Sequence, residues 1–198
     1  MKVIGITGGI GAGKSLILNY LQERHNALIL MTDEIAHDVM EPGGLCYDEM
    51  RALFPASVFT SDGHIDRAKM AAVLYGDDEL RTRLNSIVHP AVGEYLKEKV
   101  TKERQKCERD YVIIESALYD GTGFALLCDE VWNINASKEC RKARLMESRG
   151  YSEAKVESIF ESQAGYDEMR QTLRTQIDNN GDINLTYAQI EEALSATD

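Results

Sequence analysis

Eight consecutive residues carry the strongest chemical signal in the chain: Gly8-Gly9-Ile10-Gly11-Ala12-Gly13-Lys14-Ser15, a full G-x-x-x-x-G-K-S match. Glycines at these positions let the backbone curl until successive N–H groups point inward at an anion. A helix that starts at the end of such a loop adds its free N-terminal N–H groups and the positive end of its dipole. Lys14 is then placed to reach the β- and γ-phosphates of a nucleotide, and the Ser15 hydroxyl to ligate Mg²⁺. A random chain of this length would show the pattern roughly once in a hundred. Here it also lies between a predicted strand and a predicted helix, the context the chemistry needs. The motif speaks for nucleotide binding and is silent on what is done with the nucleotide.

A second group of residues bears on an acceptor. Asp33 lies just past the predicted second strand, at the sheet edge where open α/β folds bind ligands. A carboxylate there can take a proton from an attacking hydroxyl, or it can cap the helix that begins beside it; the two readings are balanced and compatible. Arg141, Arg144 and Arg149 share a predicted helix and, without further information, read as a solvated face. His89 precedes Pro90 and reads equally as a turn residue.

The elements that position these residues follow from periodicity. Residues 2–7 form a short β-branched run ended by Gly8-Gly9, which predicts a buried parallel strand. Residues 14–24 place Leu16, Ile17, Tyr20 and Leu21 on one helical face, and residues 27–31 supply a second strand. From residue 33 to about 109 the pattern is mostly helical, with turns at Pro42-Gly43-Gly44, Phe54-Pro55 and Ser61-Asp62-Gly63. Leu80, Leu84, Ile87 and Val88 mark a long helix over 77–106 that His89-Pro90 is expected to break or kink. Strand character returns at 111–115 and 130–135, where Tyr111 and Trp132 read as core. Ser137 is the predicted N-cap of the arginine-bearing helix, Gly150 ends it, and a polar helix follows over about 152–174. A short strand at 176–178 and the Asn179-Asn180-Gly181-Asp182 turn lead to a last helix, with Thr186 and Gln189 as its expected capping box. Strands separated by helical crossovers predict a parallel sheet with helices on both faces.

The chain has 198 residues, enough for one α/β domain with a smaller inserted part. Lys+Arg number 22 against 33 Asp+Glu, a formal net charge of -11. That acidity argues against nucleic acid or an anionic membrane as partner. Cys46, Cys107, Cys128 and Cys140 show no C-x-x-C spacing and read as reduced, partly buried thiols. His25, His37 and His64 have no spacing that suggests a metal. No signal peptide or bilayer-length apolar run is seen, so a cytoplasmic protein is expected, monomeric or a small homo-oligomer.

Several segments together resemble dephospho-coenzyme A kinase. They are GITGGIGAGKS (5–15), TDEIAHDVMEPGG (32–44), DGHIDRAKMAAVLY (62–75), IVHP (87–90), ESRGYSEAKVESIFESQ (147–163) and IDNNGD (177–182), which span nearly the whole chain. The resemblance implies a P-loop NTPase fold of three layers, α/β/α, with a parallel five-stranded sheet of nucleoside-monophosphate-kinase type. It implies a nucleotide-binding core of residues 1–32, 110–136 and 175–198, a helical acceptor subdomain over 33–109 and a lid over 137–174. The implied reaction moves the ATP γ-phosphoryl group, with Mg²⁺, to the ribose 3′-hydroxyl of dephospho-coenzyme A. Gly8, Gly9, Gly11, Ala12, Gly13, Lys14, Ser15, Leu16, Arg141 and Arg144 would hold ATP, with Lys14 and Arg144 also serving transfer. Asp33 would be the general base, Arg67 and His89 acceptor-binding residues, and Ser15 and Glu115 the metal-side oxygens.

The chain departs from the family pattern at several points. Met31 stands where many members have a second Asp, and Glu115-Ser116-Ala117-Leu118 replaces an Asp before Pro-Leu-Leu. Ser148 falls where a lid arginine is common, with Arg149 beside it, and Arg174-Thr175 replaces Ala-Asp before the closing strand. A nucleoside or nucleoside-monophosphate kinase of the same architecture is the alternative, which the IDRAKMA and IVHP segments disfavour. A regulatory P-loop module without an acceptor would not need the helical stretch after Asp33.

Overall fold

The computed structural model describes residues 1–117 and 123–196; Leu118, singled out in the sequence, lies outside them. Five strands form one sheet: β1 (Lys2–Thr7), β2 (Ala27–Met31), β3 (Tyr111–Glu115), β4 (Glu130–Asn135) and β5 (Thr175–Asp178). Their order is β2-β3-β1-β4-β5, with β1 paired parallel to β3 and β4, and β4 parallel to β5. This is the expected doubly wound sheet. The register sets Ile6 opposite Glu115 and Thr7 opposite Asn133, so the ends of three strands meet where the glycine-rich loop begins.

Two compact units emerge: residues 1–30 with 103–198, and residues 31–102. In the first, α1 (Lys14–Arg24) and α8 (Ile183–Ser195) lie on one face of the sheet. Ile17, Leu18 and Leu21 of α1 and Ile190 and Leu194 of α8 close on Ile4, Ile6, Ile113, Trp132, Ile134 and Ile177. Each such fully buried side chain contributes roughly 1.5–3 kcal/mol. The predicted apolar face of α1 is corrected here. Leu18 is buried and Leu16 is 48% exposed, because the loop fixes where the helix starts and turns the stripe 17, 18, 21 inward. Tyr20 stacks on Tyr187 at the rim of this core, ring centroids 3.9 Å apart. Trp132 is fully buried, and Tyr111 packs against the same cluster.

Two more helices belong to this unit. α6 (Lys138–Arg149) is capped by Ser137, whose side chain accepts from the Cys140 N–H, and ends at Gly150 with φ 62°. α7 (Glu153–Gln171) is capped by Ser152 and stops before the predicted 174. The predicted capping box of the last helix is also corrected. Asp182 caps α8 by accepting from Asn184 N–H, and Thr186 and Gln189 sit inside the helix. Gln189 still reaches back, accepting from the Asp178 N–H and donating to its carbonyl.

The second unit holds α2 (Thr32–Met40), α3 (Tyr47–Leu53), α4 (Arg67–Leu74) and most of α5 (Asp78–Lys106). Met50, Phe54, Val58, Phe59, Ile65 and Met70 are buried there. Tyr47 donates its hydroxyl to the Gly63 carbonyl at 2.7 Å, and Arg51 lies over the Phe59 ring. The break expected at His89-Pro90 does not occur: α5 runs through Pro90. One proline removes a single N–H donor, and Val88, Val92, Leu96 and Val100 are buried to either side of it along the helix. All four cysteines are free; Cys46 is buried, but Cys107 is exposed, against the reading of all four as partly buried. No helix among the described residues is long and apolar enough to cross a membrane.

Candidate active site

The loop between β1 and α1 curls as its glycines allow. Gly13 has φ 91°, and a Cβ there would strike the amide of Asn179. At Gly9 a Cβ would strike the guanidinium of Arg141. A glycine-rich loop at a sheet edge would be expected to lie open, but Gly8, Gly9 and Ala12 are buried, covered by side chains from later in the chain. Lys14 folds back, donating to the Gly8 carbonyl at 2.8 Å and standing 3.5 Å from the Glu115 carboxylate. Glu115, last residue of β3, is only 5% exposed. Ser15 and Leu16 are exposed in the first turn of α1.

Helix α6 lays two arginines across this loop. Arg141 donates from Nε to the Ile10 carbonyl at 2.9 Å, and its guanidinium lies over the Phe160 ring. Arg144 donates to the Asn179 carbonyl at 2.8 Å and reaches the Ala12 carbonyl at 3.4 Å. The solvated-face reading therefore fails for Arg141, which is 5% exposed, and holds for Arg149, which is exposed. Ser148 is exposed and donates its hydroxyl to the Arg144 carbonyl.

Further residues join the loop that sequence reasoning missed. Gln163 of α7 accepts from the Ile10 N–H at 3.2 Å. The Asn179 side chain donates from Nδ2 to the Ala12 carbonyl at 2.8 Å while its Oδ1 accepts from the Thr186 hydroxyl. Asp167 of α7 accepts from Arg141 at 3.1 Å and also from Arg170, which is 1% exposed. Arg170 in turn donates to the Ala117 carbonyl at 2.8 Å. The Asn179 signal lay in the IDNNGD segment, and Asp167 and Arg170 have helical i,i+3 spacing. Nothing local in the sequence pairs Asp167 with Arg141.

Burial alone would raise the Asp167 carboxyl, but hydrogen bonds from Arg170 and Arg141 and their charges outweigh it and hold it below its ordinary value. The unfolded chain therefore binds this proton first as pH falls. Asp167 contributes its stability in full above its ordinary value of 3.8 and loses it as pH drops through the lower folded-state value. Urea titrations of wild type and Asp167→Asn from neutral pH downward should show a midpoint gap that is widest near pH 7 and shrinks below about pH 4. A gap independent of pH would mean the carboxylate charge is not the stabilising feature.

The acceptor-side residues lie in the second unit. Asp33 is exposed in the first turn of α2, whose N-cap is Met31 with no side-chain cap bond. The capping alternative for Asp33 is thus not realised. Arg67 opens α4 behind the Asp66 cap, and His89 lies within α5 rather than in a turn; both are exposed. No hydrogen bond or ion pair among the described residues joins Asp33, Arg67 and His89 to one another. No cluster of three or more His, Cys, Asp or Glu among the described residues suits a metal ion.

A family model described as dephospho-CoA kinase matches residues 2–184. The dephospho-CoA kinase of Shouchella clausii is 32% identical over 194 residues, which cover 98% of each chain. That of Carboxydothermus hydrogenoformans is 34% identical and spans 96% of this chain and 91% of its own. Among solved structures, TT1252 from Thermus thermophilus superposes with a TM-score of 0.78 at 26% identity, covering 98% of this chain and 97% of its own. Dephospho-CoA kinase from Campylobacter jejuni shares the fold at a TM-score of 0.69 and 16% identity, covering 98% and 95%. With its phosphate loop, its parallel sheet and a family match over nearly its whole length, the chain belongs to the dephospho-CoA kinase family.

Proposed function

We propose that this chain transfers the γ-phosphoryl group of ATP to the ribose 3′-hydroxyl of dephospho-CoA, giving CoA and ADP, the last step of CoA biosynthesis. The observation that carries the reading is the meeting of Lys14, Glu115, Arg141 and Arg144 around one phosphate loop, in a chain of this family. Such transfer asks little covalent chemistry of the protein and much positioning and charge stabilisation. On this reading the loop N–H groups and Lys14 hold the β- and γ-phosphates. Arg141 and Arg144 on α6 oppose the charge that shifts as the bond to the β-phosphate oxygen breaks. Asp33 takes the proton of the 3′-hydroxyl as its oxygen attacks the γ-phosphorus. Arg67 and His89 hold the acceptor, residues 33–109 form the acceptor subdomain, and 137–174 the lid that keeps water from the γ-phosphate.

Magnesium fits the residues present. It prefers few protein oxygens with water and phosphate completing its shell. The Ser15 hydroxyl is exposed beside the loop, and the Glu115 carboxylate stands within 3.5 Å of Lys14. Ser15 would ligate the ion and Glu115 would bind its water shell; when bound, the ion would neutralise charge on the phosphates.

ATP consumption by the purified protein tests the reading, with dephospho-CoA as acceptor and adenosine and AMP as controls. Stimulation by dephospho-CoA alone, with CoA formed in equal amount to ADP, is expected. Stimulation by AMP or adenosine instead would assign the chain to nucleotide or nucleoside phosphorylation, and ATP binding without stimulation to a regulatory role.

A further inference from the structure

Arg141 and Arg170 are both buried, 5% and 1% exposed, and share a single carboxylate, Asp167. The shared bonds make a continuous chain across the first unit. It runs from the Ile10 carbonyl through Arg141, Asp167 and Arg170 to the Ala117 carbonyl, just past Glu115. Arg141 is thereby fixed at three points: Nε on Ile10, Nη1 on Asp167, and its face on Phe160. Its remaining nitrogen, Nη2, is buried without an acceptor among the described residues. A buried guanidinium N–H is rarely left unsatisfied, and where one is found, a water, an ion or a ligand is the usual missing partner. The cluster holds two cations and one anion, so it retains a positive charge. It borders a cavity of about 330 Å³ lined in part by Gly9, Ala12, Arg141, Asp167 and Arg170.

We infer that Asp167 is a positioning residue for phosphoryl transfer. It holds Arg141 against the phosphate loop so that Nη2, buried beside Gly9 without an acceptor among the described residues, is kept for a phosphate oxygen of the bound nucleotide, while Arg170, tied to the Ala117 carbonyl after β3, braces Asp167. The inference rests on the proposed reading of Arg141 as a nucleotide-binding residue. Planarity matters to this arrangement. A guanidinium offers several fixed N–H directions, so two can be used for anchoring while another remains for the ligand.

A double-mutant cycle in the full-length protein tests it, using Arg141→Ala, Asp167→Asn and the pair, with Asp167→Glu as the conservative variant. The readouts are kcat and KM for ATP at saturating dephospho-CoA, ATP affinity by calorimetry, and thermal unfolding. Arg141→Ala should lower kcat/KM for ATP by about 10²-fold, as expected for a lost hydrogen bond to a charged group. Asp167→Asn should lower it on the order of tenfold, mainly through KM, and the double variant should be no worse than Arg141→Ala. Asp167→Glu should recover part of the loss. A merely structural Asp167 would lower the unfolding temperature without moving ATP affinity. If Arg141→Ala is impaired while Asp167→Asn binds ATP normally, or the two losses multiply, Asp167 is not acting through Arg141 and the inference fails alone. If Arg141→Ala itself turns over normally, the reading of Arg141 fails and takes the inference with it. Should Arg141→Ala not fold, Arg141→Lys, which keeps charge and loses the fork, replaces it in the cycle.

Discussion

Lys14→Ala loses phosphoryl transfer by about 10³-fold or more in a protein that remains folded. Lys14 begins α1 immediately after the Gly13 turn, so its amine has no substitute at the β- and γ-phosphates. The variant also has a stability cost that an open loop would not have predicted. Lys14 is held by the Gly8 carbonyl and stands beside the buried Glu115, so its removal withdraws a cation from that carboxylate. A loss on the order of 1–2 kcal/mol follows, small against a typical domain stability of about 5–15 kcal/mol. A coupled ADP assay and thermal unfolding check both parts. Near-normal turnover would remove Lys14 from the chemistry, and an unfolded variant would make it a structural residue first.

Asp33→Asn is expected to lower kcat by about 10²–10⁴, the range general-base catalysis supplies, with ATP affinity nearly unchanged. The substitution keeps the shape of the side chain and removes its ability to take a proton. Its stability effect should be small. Asp33 is exposed and makes no cap bond to α2, and one carboxylate in a first helical turn is worth about 0.3–1 kcal/mol through the helix dipole. Kinetics at saturating ATP, ATP titration by calorimetry and an unfolding curve separate the three effects. A variant of near-normal rate would leave Asp33 without an assigned role, since the capping alternative is already absent.

The sequence made the strands and the phosphate loop readable because their signals are local. A β-branched run, a glycine cluster and a following helix all fall within residues 2–24, although the inward face of that helix was not legible. The helix through Pro90 was misread for the opposite reason. A proline is a strong local signal, but burial spread along a helix of 29 residues outweighs one missing hydrogen bond. Thr186 and Gln189 had capping-box spacing, yet Asp182, directly before the helix, took the cap. The loop was legible in its own residues, whereas Arg141 and Arg144 read locally as a solvated face and entered only through the resemblance; what fixes them was opaque. Asp167 lies 26 residues from Arg141, Ala117 lies 53 from Arg170, and Gln163 lies 153 from Ile10. Such pairings are decided by how α6 and α7 fold back on the sheet, which no local pattern records.

The side chains that cover the phosphate loop bear on its modularity. Glycine at position 9 leaves room for the Arg141 guanidinium, and Gly13 leaves room for the Asn179 amide. The carbonyls of Ile10 and Ala12 are claimed by groups from α6 and from the turn after β5. A loop of this kind is not a portable cassette. Grafted onto another strand–helix junction, the same eight residues would arrive without the scaffolding that orients their carbonyls. An engineer who altered position 9 would have to redesign position 141 in the same step.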